Sequence, residues 1–169
     1  MKKAIILCTV LGLLSFGLQA QKFAFVDSES VLNQIPAYQE ALTEIDKLAS
    51  QWQADISKEY DSIDRLYKDF QAESVLLSES MRIKREEEIV EREKQVKQLQ
   101  KQKFGVDGEL FEKREELIAP IQQKIFDAIE AMAKQKAYDF IFDSSSNSNI
   151  LFASEEFNKS DEILKAILK

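Results

Sequence analysis

Between residues 37 and 136 the only Gly or Pro residues are Gly105, Gly108 and Pro120, and the apolar residues of that stretch recur in heptads. Compact folds need many tight turns, which are made mainly with Gly, Pro, Asn and Asp. A chain this poor in breakers is confined to a few long elements. From Tyr38 one apolar row runs through Ile45, Trp52, Glu59, Leu66 and Glu73, and a second through Leu42, Ala49, Ile56, Ile63 and Phe70. Nine of these eleven positions are apolar, which defines a coiled-coil seam. The two Glu positions weaken it toward the far end.

A break is expected near residues 75–78, where Ser78 before Glu79 suits the start of a new helix. The second helix then runs to about Lys136. Its seam takes Ile89, Val96, Lys103, Leu110 and Leu117, joined by Leu99 and Val106. It shifts by one residue to Ile118, Ile121, Ile125, Ala128 and Met132, a local change of supercoil. Gly105 and Gly108 fall inside this helix, each costing up to about 1 kcal/mol against Ala, and mark a bending point or hinge. Pro120 removes one helical hydrogen bond and predicts a kink. Two helices joined by a short turn lie antiparallel. Roughly 40 residues at 1.5 Å each give an arm of about 60 Å, with its tip near residues 75–80. Nothing else in the chain is large enough to cover it.

The two ends are of a different kind. Residues 22–27, Lys-Phe-Ala-Phe-Val-Asp, read as a strand, after which Asp27 and Ser28 cap a brief helix through Leu32 that Ile35-Pro36 breaks. Residues 138–143 and 149–153 read as two more strands around a Ser- and Asn-rich loop, and Ser160 caps a terminal helix with Ile163, Leu164, Ile167 and Leu168 on one face. The expected fold is α+β, predominantly α: a long antiparallel coiled-coil hairpin at 37–136 on a small β-containing body built from 21–36 and 137–169. Three short strands and two short helices make a poor core alone. The aromatic surface of Phe23, Phe25, Phe140, Phe142 and Phe152 is therefore expected to find partners in other copies of the chain.

Lys2 and Lys3, the apolar run from Ala4 to Phe16 and the small Ala20 read as a signal peptide cleaved between Ala20 and Gln21. The run falls short of the roughly 20 residues that span a bilayer, an uncleaved anchor being the alternative. Cys8 lies within the run rather than after it, which argues against a lipidated N-terminal cysteine. Beyond it the chain has no Cys and no His. Disulfides, Cys/His zinc sites and imidazole triads are thereby excluded. Glu86-Glu87-Glu88 and Glu115-Glu116 are poor acid–base pairs, since adjacent helical residues diverge and an exposed coiled coil offers no dry pocket. No catalytic, cofactor or metal residue is assigned.

The ends of the chain resemble the Skp (OmpH) family of periplasmic chaperones. The matching segments are Phe23-Ala24-Phe25-Val26-Asp27 followed by Val31-Leu32 and Pro36, then Leu117-Ile118-Ala119-Pro120-Ile121. Ile125, Ile129, Ala133, Tyr138-Asp139-Phe140-Ile141-Phe142 and Ile150-Leu151-Phe152-Ala153 follow in order. The Asp-x-Thr helix start of many members stands here as Asn158-Lys159-Ser160, with Ser160 keeping the capping hydroxyl. The resemblance implies a homotrimer in the periplasm, its strands joined in a central trimerisation body and its helical arms projecting as tentacles around a cavity. It implies an ATP-independent holdase that keeps unfolded outer-membrane proteins soluble. The absence of a Gly-rich phosphate loop agrees with that. A structural coiled-coil spacer or adaptor in the envelope is the rival reading.

Past residue 20 the chain carries 21 bases and 30 acids, a net of −9. Residues 81–103 reverse the sign, with Arg82, Lys84, Arg85, Arg92, Lys94, Lys97, Lys101 and Lys103 against five acids. The facing limb, 53–80, is net −4. The plain reading is complementary limbs helped by pairs such as Glu88–Arg92 and Glu93–Lys97; the functional one is a basic limb that meets anionic lipid or a client. Nucleic acid is excluded as a partner on charge and compartment. Trp52, at a seam position, is expected in the core. The off-seam apolar residues Tyr60, Tyr67, Val90, Phe104 and Phe111 are the candidate client contacts.

Overall fold

The computed structural model describes residues 21–145 and 150–169, so the expected signal segment and its cleavage point lie outside the described residues. Its elements are β1 (Phe23–Val26), α1 (Ser28–Asn33), α2 (Pro36–Glu73), α3 (Glu79–Phe104), α4 (Glu109–Lys136), β2 (Phe140–Asp143), a 3-10 turn (Glu155–Phe157) and α5 (Ser160–Ile167). They divide into two compact units, one of Leu32–Lys124 and one of the residues up to Val31 together with Ile125–Lys169.

In the first unit, α2 starts with Pro36, where the missing amide N–H costs nothing, and runs unbroken to Glu73. A turn at residues 74–78 reverses the chain into α3. Ser78 occupies the N-cap position in extended conformation, as the sequence suggests, but its hydroxyl makes no cap hydrogen bond and sits 3.2 Å from the Ser80 hydroxyl. Ile56 and Ile63 of α2 pack with Ile89 and Val96 of α3, flanked by Leu66, Phe70, Leu99 and Phe104. All but Phe104, which was expected off the seam, are heptad positions read from sequence. Removing one such Ile side chain costs about 2–5 kcal/mol, so this seam holds the hairpin.

The single second helix expected from sequence is two. α3 ends at Phe104, Gly105 turns extended (φ −63°, ψ 170°), and α4 begins at Glu109. The glycines do not bend a helix; they interrupt it. Val106, placed on the seam by its spacing, falls in the interruption and is 89% exposed. α4 in turn runs unbroken through Pro120.

In the second unit, β1 and β2 pair in parallel, Phe23 opposite Phe140 and Val26 opposite Asp143. Asp139 brackets the start, its Oδ2 accepting from the Lys22 amide at 2.7 Å while its own amide donates to the Lys22 carbonyl at 2.9 Å. The expected third strand does not form: residues 150–153 are irregular, with Leu151 and Phe152 turned to solvent. The outer edge of β1 is occupied instead by the chain at Asn158 and Lys159, whose amide donates to the Phe25 carbonyl at 2.9 Å. A hydrophobic run becomes a strand only where a ladder offers it an edge. Ala24, Phe25, Val26, Val31, Ile125, Met132 and Ile163 are the buried apolar residues here.

A polar cluster around Ser160 ties the ends of the chain together. The Ser160 hydroxyl, expected to cap α5, instead accepts from the Asp27 amide at 2.9 Å and donates to Asn158 Oδ1 at 2.7 Å. Lys159 stands at the N-cap position without a side-chain cap bond, and Asn158 Oδ1 accepts from the Ser160 amide at 3.0 Å. Asp27 caps α1 as expected, its Oδ1 accepting from the Ser30 amide at 2.8 Å.

Candidate functional site

Tyr60 and Tyr67 lie two helical turns apart on one face of α2, each about half exposed. The Tyr60 hydroxyl reaches Gln100 Oε1 of α3 at 3.4 Å, so this face overlooks the flank of the seam. Val90 on α3 and Phe111 on α4 are exposed as well. Phe104 is different. It packs against the hairpin core, its ring edge-on to Trp52 with centroids 6.3 Å apart. It is the last residue of α3. Trp52 is half-buried in that contact, as its seam position implied.

The hairpin turn exposes more apolar surface than the sequence reading assigned to it. Val75 and Leu76 are 87% and 85% exposed, and Met81 and Ile83 in the first turns of α3 are about half exposed. Three apolar residues in a row, Val75-Leu76-Leu77, at a polar-flanked turn were the signal available in sequence. Large apolar side chains gathered at an exposed turn mark an interaction surface.

The basic limb is largely self-neutralised along its own helix. Arg82 pairs with Glu79 (2.8 Å), Arg85 with Glu88 (3.0 Å), Lys94 with Glu91 (3.7 Å) and Lys97 with Glu93 (4.0 Å). Glu88 thus serves Arg85, one turn back, rather than the expected Arg92. Hydrogen bonding to Glu79, with the charges of Glu79 and Glu86, raises the Arg82 pKa still further above its usual range. Such exposed pairs contribute little each. Among the described residues Lys84, Arg92 and Lys101 make no ion pair, while Lys103 pairs with Glu109 across the interruption.

On the sheet unit, Phe23, Phe140 and Phe142 stack on one another with ring centroids 5.9–6.3 Å apart, yet each stays roughly half exposed. Phe152 is almost fully exposed, and Phe25 is the one aromatic of the expected set that is buried within its own unit. A shallow apolar groove of about 280 Å³ runs between Phe23, Phe142, Ile150, Phe152 and Phe157. Among the described residues no cluster of potential metal ligands occurs, and no helix is long and apolar enough to cross a membrane.

Long helices paired through a heptad seam, with a minimal parallel sheet closed from both ends of the chain, define a predominantly helical α+β hairpin protein that presents apolar patches on a charged surface. The chain belongs to the outer membrane protein (OmpH-like) family, whose model matches residues 22–167. The fold is similar to a crystal structure of an OmpH-like protein from Caulobacter crescentus CB15, named there as a candidate outer membrane chaperone. That likeness has a TM-score of 0.72 at 10% identity and covers 89% of this chain and 86% of the other. At such identity it speaks for the fold alone. No curated protein gives a significant match.

Proposed function

We propose that this chain is an ATP-independent periplasmic holdase for unfolded outer-membrane β-barrel precursors, acting as a homotrimer. The observation that carries this reading is the scatter of exposed apolar side chains over a hairpin otherwise covered by charge: Tyr60, Tyr67, Val90 and Phe111 along its helices, and Val75, Leu76, Met81 and Ile83 at its turn. Each contact is weak, and many on one scaffold give useful affinity through multivalency while each lets go easily. A holdase needs that balance, because it must bind the unfolded chain and release it when the client folds elsewhere. Family membership and the chaperone designation of the Caulobacter crescentus structure point the same way. The anionic-lipid partner rests on Lys84, Arg92 and Lys101, the bases of that limb that make no ion pair among the described residues.

The test is light scattering of a denatured outer-membrane porin diluted into buffer, with and without the protein and with ATP omitted. Suppressed scattering at near-stoichiometric protein is the expected result. Unchanged scattering would reject the holdase reading and leave the envelope spacer standing.

A further inference from the structure

The interruption between α3 and α4 is built from more than missing side chains. A Cβ on Gly105 would lie 2.4 Å from the Lys101 carbonyl oxygen, and one on Gly108 would lie 2.8 Å from both the Gln102 carbonyl oxygen and the Gly105 amide nitrogen. Both clashes are with backbone, which cannot swing aside, so the close approach itself requires glycine at each position. The backbone turns on two short bonds, the Gly105 amide to the Lys101 carbonyl (2.8 Å) and the Gly108 amide to the Gly105 carbonyl (3.0 Å).

One side chain spans this turn. Glu109, at the first position of α4, accepts from Gln102 Nε2 at 2.9 Å with one carboxylate oxygen and pairs with Lys103 Nζ through the other. The same Lys103 ammonium lies 4.7 Å above the Trp52 ring of α2. Trp52 meets the edge of Phe104, the residue at which α3 stops. This is the most shielded ion pair among the described residues; its partners are 20% and 35% exposed, whereas the side chains of every other pair are at least 37% exposed. Partial burial strengthens such a pair relative to a fully exposed one. The geometry joins three helices through one carboxylate: α4 by its first residue, α3 by Gln102 and Lys103, and α2 by the ring beneath Lys103.

We infer that the Gly105–Gly108 interruption is a hinge latched by Glu109, whose carboxylate fixes the direction of α4 relative to α3 and, through Lys103, to Trp52. With the latch closed the hairpin has one geometry. With it open the two glycines leave the junction free to swing, and the spacing of apolar contacts on either side becomes adjustable. The inference rests on the hairpin's geometry and stands whether or not the holding function does.

The chain offers a clean measurement, because Cys8 is its only cysteine and Trp52 its only tryptophan. In a protein lacking residues 1–20, Gln98→Cys and Glu115→Cys place spin labels at exposed positions on α3 and α4. In low salt the pair should give a single narrow distance distribution by double electron–electron resonance. Glu109→Ala should broaden it at least twofold and shift the Trp52 emission, with far-UV helicity unchanged. Raising salt to 1 M should broaden the parent in the same direction and leave the Glu109→Ala protein as it was. Glu109→Gln, which keeps the shape and the Gln102 bond but loses the charge, serves if the alanine variant loses helicity. A parent distribution as broad in low salt as that of the variants, or variants as narrow as the parent, would overturn the latch.

Discussion

Ala137 is the one non-glycine residue with positive φ among the described residues (φ 51°). It follows the last residue of α4, and the Tyr138 amide reaches back to the Ala133 carbonyl at 3.0 Å, the long bond of a Schellman ending. An L side chain is strained there and glycine is not. Ala137 is exposed, so nothing is lost from a core. Ala137→Gly is therefore expected to raise stability by about 0.5–1 kcal/mol and the Tm by about 1–3 °C in thermal unfolding. Asp143 poses the opposite question. Partial shielding pushes its pKa up, but the Ser28 hydroxyl (2.6 Å) and the amides of Ser145 (2.9 Å) and Ser28 (3.2 Å) all donate to its carboxylate, and the net direction is down. A carboxyl whose folded pKa lies below its unfolded value, near 3.9, stabilises above that pH and loses the contribution as pH falls through the folded value. Asp143→Asn should thus be less stable than the parent at pH 7, by under about 1 kcal/mol after solvent screening. Urea titrations repeated below about pH 4 should show that difference close.

At the scale of the element, the heptads carried most of the information. Ile56, Ile63, Ile89 and Val96 were legible as a seam because burial selects apolar side chains at fixed helical spacing. The interruption at Gly105 was legible only as a weak point, since periodicity on its two sides gives no measure of a backbone that changes direction. Val106 lost its expected place for that reason, while Phe104, expected off the seam, packs against Trp52. Strand pairing was legible least: residues 149–153 have strand composition, but the edge of β1 goes to Asn158 and Lys159, a choice made by contacts distant in sequence. For the candidate surface, the exposure of Tyr60, Tyr67, Val90 and Phe111 was legible from their places off the seam, whereas Val75 and Leu76 were passed over because the turn drew notice only as a boundary. Their exposure predicts a separation of roles. Val75→Ser with Leu76→Ser should change stability by no more than about 0.5 kcal/mol, since neither side chain is buried. The same pair of substitutions should weaken suppression of porin aggregation; full suppression would show that the turn takes no part in holding.

For the whole molecule, the sheet unit leaves a stacked row of Phe23, Phe140 and Phe142 half exposed beside Phe152 and Phe157. Aromatic side chains clustered on an open face behave as half of an interface, and sedimentation at micromolar concentration is expected to show an oligomer. Phe140→Ser with Phe142→Ser should shift it to monomer while far-UV helicity is retained; a parent that already sediments as monomer would end the trimer proposal. The parallel pairing of β1 with β2 has a further consequence, one of timing. Phe23 finds Phe140 only across the entire helical hairpin in sequence, so the sheet is among the most nonlocal contacts of the described residues. Loop-closure entropy opposes such contacts until the intervening segment is compact, while helices and their short-turn pairing are local and fast. A chain released from its N-terminus onward makes β1 early and then holds it idle until its last thirty or so residues have emerged. Pulsed hydrogen exchange during refolding would register this as late protection of Ala24 and Phe142 relative to Ile63 and Val96. For that interval the molecule is itself a polypeptide with an unpaired strand, subject to the same hazard of misassociation as any other half-finished sheet.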